Sequence, residues 1–344
     1  MTIRIALDAM GGDRGLPVNI EGALLAKKEM DHEIILVGDQ KMIEQELSHH
    51  GASGQFLIHH APTVIGMHEK PAEACRAKKD SSIMQCAEIV SQGKADALIS
   101  AGNSGATMAA SLWHLRRLPG VSRPAIAAIF PTLEGNAVLL DVGANVDCKP
   151  KHLLQFAIMG SVYSKAVFGI ASPRVGLLTI GEEEGKGNDL TVQTHPLLQT
   201  SGLNYLGHLE GRDLPAGAAD VFVCDGFVGN VLLKFGEGLA SAVMKLIKNE
   251  VRKHPLAIFG RVLLKGAFKE LIKKTDPSEF GGAPLLGVNG VALIAHGGSD
   301  VKAVKNSVRT AAAFVEKGIN RQISEQLHHH AALFAPIPSV AVPA

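Results

Sequence analysis

The chain has 344 residues, with 34 Lys+Arg against 33 Asp+Glu, a formal charge of +1 and a pI near 7.8. That balance excludes a generic nucleic-acid binder, which carries a strongly basic footprint. An apolar share of 46% with 19% charged residues excludes a disordered chain. Glycine is abundant at 37 and aromatics scarce at 4%, which suits many tight strand–helix turns better than an all-β sandwich.

In chain order, short apolar runs alternate with helical patterns. Ile3–Asp8 reads as a strand, Pro17–Lys28 as a helix, Glu33–Gly38 as a strand, Gln40–His49 as a helix and Gln55–His60 as a strand. Lys70–Gly93 reads as one long helix, Ala97–Ser100 as a strand and Gly105–Leu115 as a helix. Two strands follow, Ala125–Pro131 and Ala137–Val142, then the helix Pro150–Phe168. The second half continues with strand Arg174–Ile180, helix Leu190–Leu198 and strands Tyr205–Leu209 and Val221–Asp225. Two long helical segments, Val228–His254 and Leu256–Lys274, are split by His254-Pro255. A strand, Val291–Ala295, and one closing helix, Asp300–His330, complete the pattern. This rhythm predicts an α/β fold with a three-layer, doubly wound, mostly parallel sheet. The predicted organisation is a single region over 1–334, two lobes around a cleft, with a protruding helical pair over 228–275. A loose Pro/Ala-rich tail follows over 335–344.

Four scattered cysteines (Cys75, Cys86, Cys148, Cys224) form no CxxC pair, which points to a reducing, cytoplasmic setting. No signal-peptide pattern opens the chain. The charge-free stretch Ala97–Leu115 carries Gly102, Asn103, Ser104 and Gly105 and makes a poor transmembrane helix.

Ligands of open α/β sheets bind beyond the carboxyl ends of strands, so those loops carry the candidate chemistry. Asp8-Ala9-Met10-Gly11-Gly12-Asp13 follows the first strand, and its paired glycines let backbone approach a ligand or simply close a tight turn. Asn103-Ser104-Gly105 opens a helix and offers backbone N–H groups to an anion, or only an N-cap. Its loop holds no cation, so charge would come from Arg76, Lys78 or Lys79. Asp141-Val142-Gly143-Ala144-Asn145-Val146-Asp147 is dense in polar groups but poorly spaced for a hard metal ion. Gly181–Asp189 contains Lys186 between two glycines. It is not a P-loop, because Gly187 stands where a hydroxyl residue is needed. Asn230 lies near the start of the helix after Cys224-Asp225-Gly226. Gly281–Gly287 reads as a flexible, partly apolar wall, and His296 ends the last strand. No dinucleotide fingerprint and no zinc pattern occurs, so neither a metal nor a cofactor is expected.

Between Lys245 and Lys274 stand nine Lys/Arg against Glu250 and Glu270 alone. The remainder carries 25 Lys+Arg against 31 Asp+Glu, so the near-neutral total sums an acidic body and a basic helical arm. Apolar residues interleave with those cations, as in helices that lie on anionic membranes. A dimer interface or an acidic protein partner fits the same composition.

Taken together, the segments ALDAMGGD (6–13), KKDSS (78–82), ISAGNSGATMAA (99–110), RPAIA (123–127), LLDVGANVDCKP (139–150), SPRVGLLTIG (172–181), GKGNDLT (185–191), ADVFVCDGFVGNVLLK (219–234), GGAPLLG (281–287) and AHGGSD (295–300) resemble the bacterial phosphate acyltransferase family. The resemblance implies a fold like that of isopropylmalate dehydrogenases and phosphotransacetylases. It implies transfer of a long-chain acyl group from acyl carrier protein to inorganic phosphate, without metal or cofactor. The acyl phosphate would feed a membrane glycerol-3-phosphate acyltransferase in phospholipid synthesis. It further implies a homodimer, with the 245–274 arm on an anionic membrane, and Lys186 and Asn230 as the catalytic pair. Asn103, Ser104 and Gly105 would then cradle phosphate, and Asp8, Gly11, Gly12, Asp141, Asn145 and His296 would line or shape the cleft. A dehydrogenase of the isopropylmalate type and a non-catalytic adaptor for membrane or carrier protein are the alternatives.

Overall fold

A computed structural model describes residues 2–183, 185–253 and 265–334. The strands are β1 (Arg4–Asp8), β2 (Glu33–Gly38), β3 (Leu57–His60), β4 (Ala97–Ser100), β5 (Ala125–Thr132), β6 (Gly135–Leu140), β7 (Val175–Leu178), β8 (Tyr205–Leu209), β9 (Val221–Val223), β10 (Gly282–Leu286) and β11 (Val291–Ala295). They form one sheet in the order β3-β2-β1-β4-β11-β10-β5-β6-β9-β7-β8. Pairing is parallel from β3 through β11 and again from β6 through β8. The two halves meet through the antiparallel pairs β11–β10, β10–β5 and β5–β6, so their strands run in opposite senses.

Alternation along the strands explains the three layers. Ile5, Leu7, Ile99, Val138, Leu140, Val221 and Val223 join one buried cluster, whereas Ala6, Leu98, Leu139 and Phe222 join another on the opposite face. The first face is covered by α1 (Gly15–Glu29), α2 (Gln40–His49), α6 (Pro150–Phe168), α7 (Asp189–Gln199), α11 (Val301–Glu316) and α12 (Ile319–His329). The second is covered by α3 (Pro71–Ala77), α4 (Ser82–Ser91), α5 (Ser104–His114), the short α8 (Asp213–Ala216) and the start of α9 (Gly226–Lys253). α10 (Lys265–Thr275) completes the helices. The α/β, mostly parallel, three-layer architecture is therefore as the alternation predicts.

Three predicted elements differ from the sequence expectation. The helix expected over Lys70–Gly93 is two helices, because Lys78 leaves helical geometry and its ammonium pairs with Glu69 at 2.6 Å. Ser82 N–H then donates to Thr63 carbonyl at 3.1 Å, which fixes the start of α4. The expected helix Asp300–His330 breaks at Gly318, whose φ of +57° is left-handed. The stretch 281–287, expected as a flexible wall, contains β10, a central strand pinned between β11 and β5.

α9 is about 42 Å long at 1.5 Å per residue. Its early part lies on the sheet, where a Cβ at Gly236 would come within 2.8 Å of the Phe130 ring. Phe227, Val231, Phe235, Leu239, Val243 and Leu246 form an exposed apolar stripe at helical spacing. Among the described residues α9 is the one helix long and apolar enough, by length and composition, to cross a membrane. The link between α9 and α10, with Arg261, and the tail 335–344 lie outside the described residues.

Candidate active site

The candidate residues fall into two groups, each at the carboxyl ends of one half of the sheet. In the first half, Asp8 ends β1 fully buried and accepts from Ser100 Oγ at 2.7 Å and Met10 N–H at 3.1 Å. Burial raises its carboxyl above the ordinary range, against the hydrogen bonds from Ser100 and Met10 N–H that lower it. A Cβ at Gly11 would stand 2.6 Å from Asp8 Oδ2 and 2.7 Å from Gly102 N, so only glycine fits that crossing of loops. Asn19 Nδ2 holds the same loop by donating to the carbonyls of Ala9 and Gly11. Gly12 has φ +96° and lies beside Gly297, whose carbonyl accepts from Asp13 N–H at 2.8 Å.

Asn103 caps α5 through Oδ1, which accepts from Ala106 N–H. Its Nδ2 is directed at the carbonyls of Gly66, Met67 and Glu69. The side chain thus ties the 66–69 loop over the helix start, and Pro71 packs where a Gly105 Cβ would lie. Of the trio 103–105, Ser104 is the exposed side chain. Lys78 is engaged by Glu69 and the Val64 carbonyl. Arg14, which the sequence reading did not single out, lines the shallow depression between Gly11, Gly12, Ala101 and Gly297. His296 is exposed, and its Nδ1 accepts from Gly298 N–H at 3.0 Å.

The second group gathers on β6, β9 and β7, which are neighbours. Asp141 is fully buried just past β6. Its Oδ1 accepts from the N–H groups of Ile126, Gly143 and Ala144, and its Oδ2 from Asn145 N–H and Asn145 Nδ2. Burial pushes its carboxyl up while these donors pull it down. Asn145 also donates to Pro124 carbonyl and accepts from Gly226 N–H, each at 2.7 Å. Asp141 and Asn145 therefore build the loop that seats α9.

Asp225 caps that helix by accepting from Phe227 and Val228 N–H groups at 2.9 Å. A Cβ at Gly229 would fall 1.9 Å from Asp141 carbonyl oxygen, so the helix can approach only because residue 229 is glycine. Asn230 follows, exposed, with its Oδ1 3.8 Å from the Cβ position of Gly143. Lys186 is exposed on the loop between β7 and α7. Neither side chain makes a hydrogen bond or ion pair with another described residue.

The Lys186 loop is held at several points. Thr179 Oγ1 donates to Gly181 carbonyl, Asn188 caps α7, and Gly187 sits at φ +121° against Thr191. From β8, buried His208 donates through Nδ1 to Glu183 carbonyl at 3.2 Å. Beyond β8, Arg212 reaches Glu182 at 3.5 Å and Glu210 at 3.0 Å, and neighbouring Gly211 faces Leu232 of α9. His208 and Arg212 were missed in the sequence, where neither sits in a recognisable motif; only the pairing of β8 with β7 brings them to the loop.

Cys224 is buried beneath this group, and burial raises its thiol well above the usual value. Cys148 is raised to about 12, by burial first and then by the charges of Asp141 and Asp225. Neither is a ready thiolate nucleophile at neutral pH. Among the described residues no group of three or more His, Cys, Asp or Glu is placed to hold a metal ion.

No hydrogen bond among the described residues joins the two groups. Six strand-to-strand steps separate β1 from β9.

The sequence matches the fatty acid synthesis protein family over residues 3–322. It is 50% identical over 342 residues to the phosphate acyltransferase of Trichlorobacter lovleyi, covering 99% of each chain. It is 52% identical over 326 residues to that of Geobacter sulfurreducens, covering 94% of each. In fold it is similar to a phosphotransacetylase from Streptococcus pyogenes (TM-score 0.65, 18% identity, covering 92% of this chain and 94% of that one). A branched-chain phosphotransacylase from Enterococcus faecalis is also similar (TM-score 0.56, 15% identity, covering 91% and 99%). A doubly wound α/β acyltransferase is the class that fold and sequence define. The chain belongs to the phosphate acyltransferase family.

Proposed function

We propose that the protein transfers a long-chain acyl group from the thioester of acyl carrier protein to inorganic phosphate, giving acyl phosphate for phospholipid synthesis. The observation that carries this reading is the exposed pair Lys186 and Asn230 on neighbouring strand ends, above the Asp141–Asn145 scaffold. Phosphate is already a competent nucleophile, so the reaction needs positioning and stabilisation of the oxyanion more than a general base. A phosphate oxygen attacks the thioester carbonyl carbon and forms the new C–O bond. The carbonyl pair moves onto oxygen, where Asn230 Nδ2 donates a hydrogen bond. Lys186 neutralises the incoming phosphate or the developing charge. Collapse breaks the C–S bond, and the carrier thiolate leaves and takes a proton from solvent. The first-half loops, with Ser104 and the depression beside Arg14, complete the other wall of the cleft.

The same reading places the protein in the cytoplasm as a peripheral membrane homodimer that hands acyl phosphate to a membrane glycerol-3-phosphate acyltransferase. The exposed stripe of α9 supports a partner or membrane face, and Lys265 and Lys269 are exposed on α10. Lys186→Ala and Asn230→Ala are each expected to abolish acyl-phosphate formation in a folded protein; full activity in both rejects the assignment. Liposome flotation with Arg261, Lys265 and Lys269 changed to Glu tests the membrane role, which unchanged binding to anionic vesicles rejects.

A further inference from the structure

We propose that the acidic carrier protein docks on a basic patch made by the 116–124 loop and the first turn of α6, through Arg116, Arg117, Arg123, Lys149 and Lys151. This rests on the carrier-thioester reading above. All five side chains belong to exposed residues, and none forms an ion pair with a described carboxylate. Elsewhere on the body the cations Arg4, Arg174 and Lys302 are each matched by an aspartate. Acid is sparse along the patch's own segments: no Asp or Glu occurs between Asp96 and Glu134, and exposed Asp147 is the single one between Asp141 and the end of α6, with Asp141 and Asp225 nearby on the side facing Cys148.

The patch is built as one platform. Arg117 donates to Ser122 carbonyl, Ser122 N–H donates to Gln155 Oε1 at 2.8 Å, and Gln155 Nε2 returns to Gly120 carbonyl at 2.8 Å. Leu118 N–H and Arg116 carbonyl are bonded to Gly287 and Asn289, which pins the other side of the loop. A preformed surface loses little ordering entropy on binding. The cations act within reach of a common group. Burial first, and then the charges of Arg123, Lys151 and Lys149, lower the pKa of His152, whose Nδ1 accepts from Lys149 N–H.

The patch adjoins the reaction site. Pro124, next to Arg123, is bonded through its carbonyl to Asn145, the residue that also holds Gly226 at the start of α9. A carrier seated here lies two hydrogen bonds, through Asn145, from Gly226 at the start of the helix that carries Asn230. Opposite charge steers such encounters and sets their orientation. An anionic membrane is the less suitable occupant, because Val146 is the one large apolar side chain strongly exposed in the patch's helix and approach loop, residues 144–155.

The test is the triple variant Arg117→Glu, Arg123→Glu, Lys151→Glu, assayed with two donors, palmitoyl carrier protein and palmitoyl-pantetheine. The expected result is a fall of at least tenfold in kcat/KM for the carrier donor, carried by KM, with less than a twofold change for the pantetheine donor. Carrier kinetics within twofold of wild type overturn the proposal, as do equal losses on both donors. Lost binding to vesicles containing phosphatidylserine, with unchanged carrier kinetics, assigns the patch to membrane and also overturns it. If the triple variant does not fold, Arg123→Gln is read instead, with a carrier KM expected about threefold higher and an unchanged KM overturning the proposal. Wild-type protein that cleaves the pantetheine thioester but never the carrier thioester refutes the underlying reading rather than the location of the patch.

Discussion

Gly229→Ala asks the most of the geometry around Asn230. The new methyl carbon would lie 1.9 Å from Asp141 carbonyl oxygen and 3.0 Å from Cys224 Sγ. The obstacle is backbone, and that backbone is fixed by the five donors around the Asp141 carboxylate. The first turn of α9 must therefore lift by about 1 Å or more to restore contact distance, as overpacked sites do at a cost of about 1–3 kcal/mol. Asn230 moves with that turn. A misplacement of about 1 Å costs on the order of 100-fold in rate, or about 2.7 kcal/mol of transition-state stabilisation. Gly238→Ala is the control, because nothing lies within 4 Å of its Cβ position on the same helix. Helix propensity alone makes that change neutral or stabilising by up to about 1 kcal/mol. Thiol release from an acyl donor gives the rates, and thermal melts give the stabilities. A folded Gly229→Ala protein with wild-type kcat would refute the claim that the close seat of α9 positions Asn230.

Other consequences follow from the same contacts. Asp141→Asn turns an amide nitrogen toward donors that now meet a carboxylate; losing two bonds to a charged acceptor, at about 1.5–3 kcal/mol each, lowers unfolding free energy by about 3–6 kcal/mol. A loss below about 1 kcal/mol in denaturant titration contradicts that scaffold role. Gly11→Ala drives a methyl into Asp8 Oδ2 and Gly102 N, so melting temperature and activity both fall; full activity at lowered stability separates the β1 loop from the reaction. His152 has a lowered pKa, by burial and then by Arg123, Lys151 and Lys149. The unfolded chain then binds more protons than the folded one, so the residue's contribution is present above its usual value of 6.5 and is lost as pH falls toward the folded value. His152→Gln should lose less melting temperature than wild type between pH 7 and pH 5, and equal losses contradict this.

Most strands were legible in the sequence because their apolar runs are short, and several, such as β1 and β2, end in Asp or Gly; β2 and α2 match their expected bounds at both ends. β10 was not, because Gly282, Pro284 and the flanking glycines read as loop, and only its neighbours on both sides make it a strand. The breaks at Lys78 and Gly318 were hidden for a different reason, since apolar spacing runs on through both. At the site, Lys186 and Asn230 stood out within glycine-rich loops. Asp8, Asp141, Asn103 and Asn145 stood out equally, yet their polar atoms face inward and hold loops together. Spacing along the chain does not distinguish a group aimed at a ligand from one aimed at backbone N–H groups. Arg212 and His208 were invisible for the converse reason: their partners, Glu182 and Glu183, are more than twenty residues away.

The most direct measurement of the central claim is the release of free carrier thiol from palmitoyl carrier protein, followed with and without inorganic phosphate in wild type and Lys186→Ala. Release is expected to require phosphate, to equal the acyl phosphate formed, and to be lost in the variant. Release at the same rate without phosphate, or undiminished release in Lys186→Ala, would contradict it.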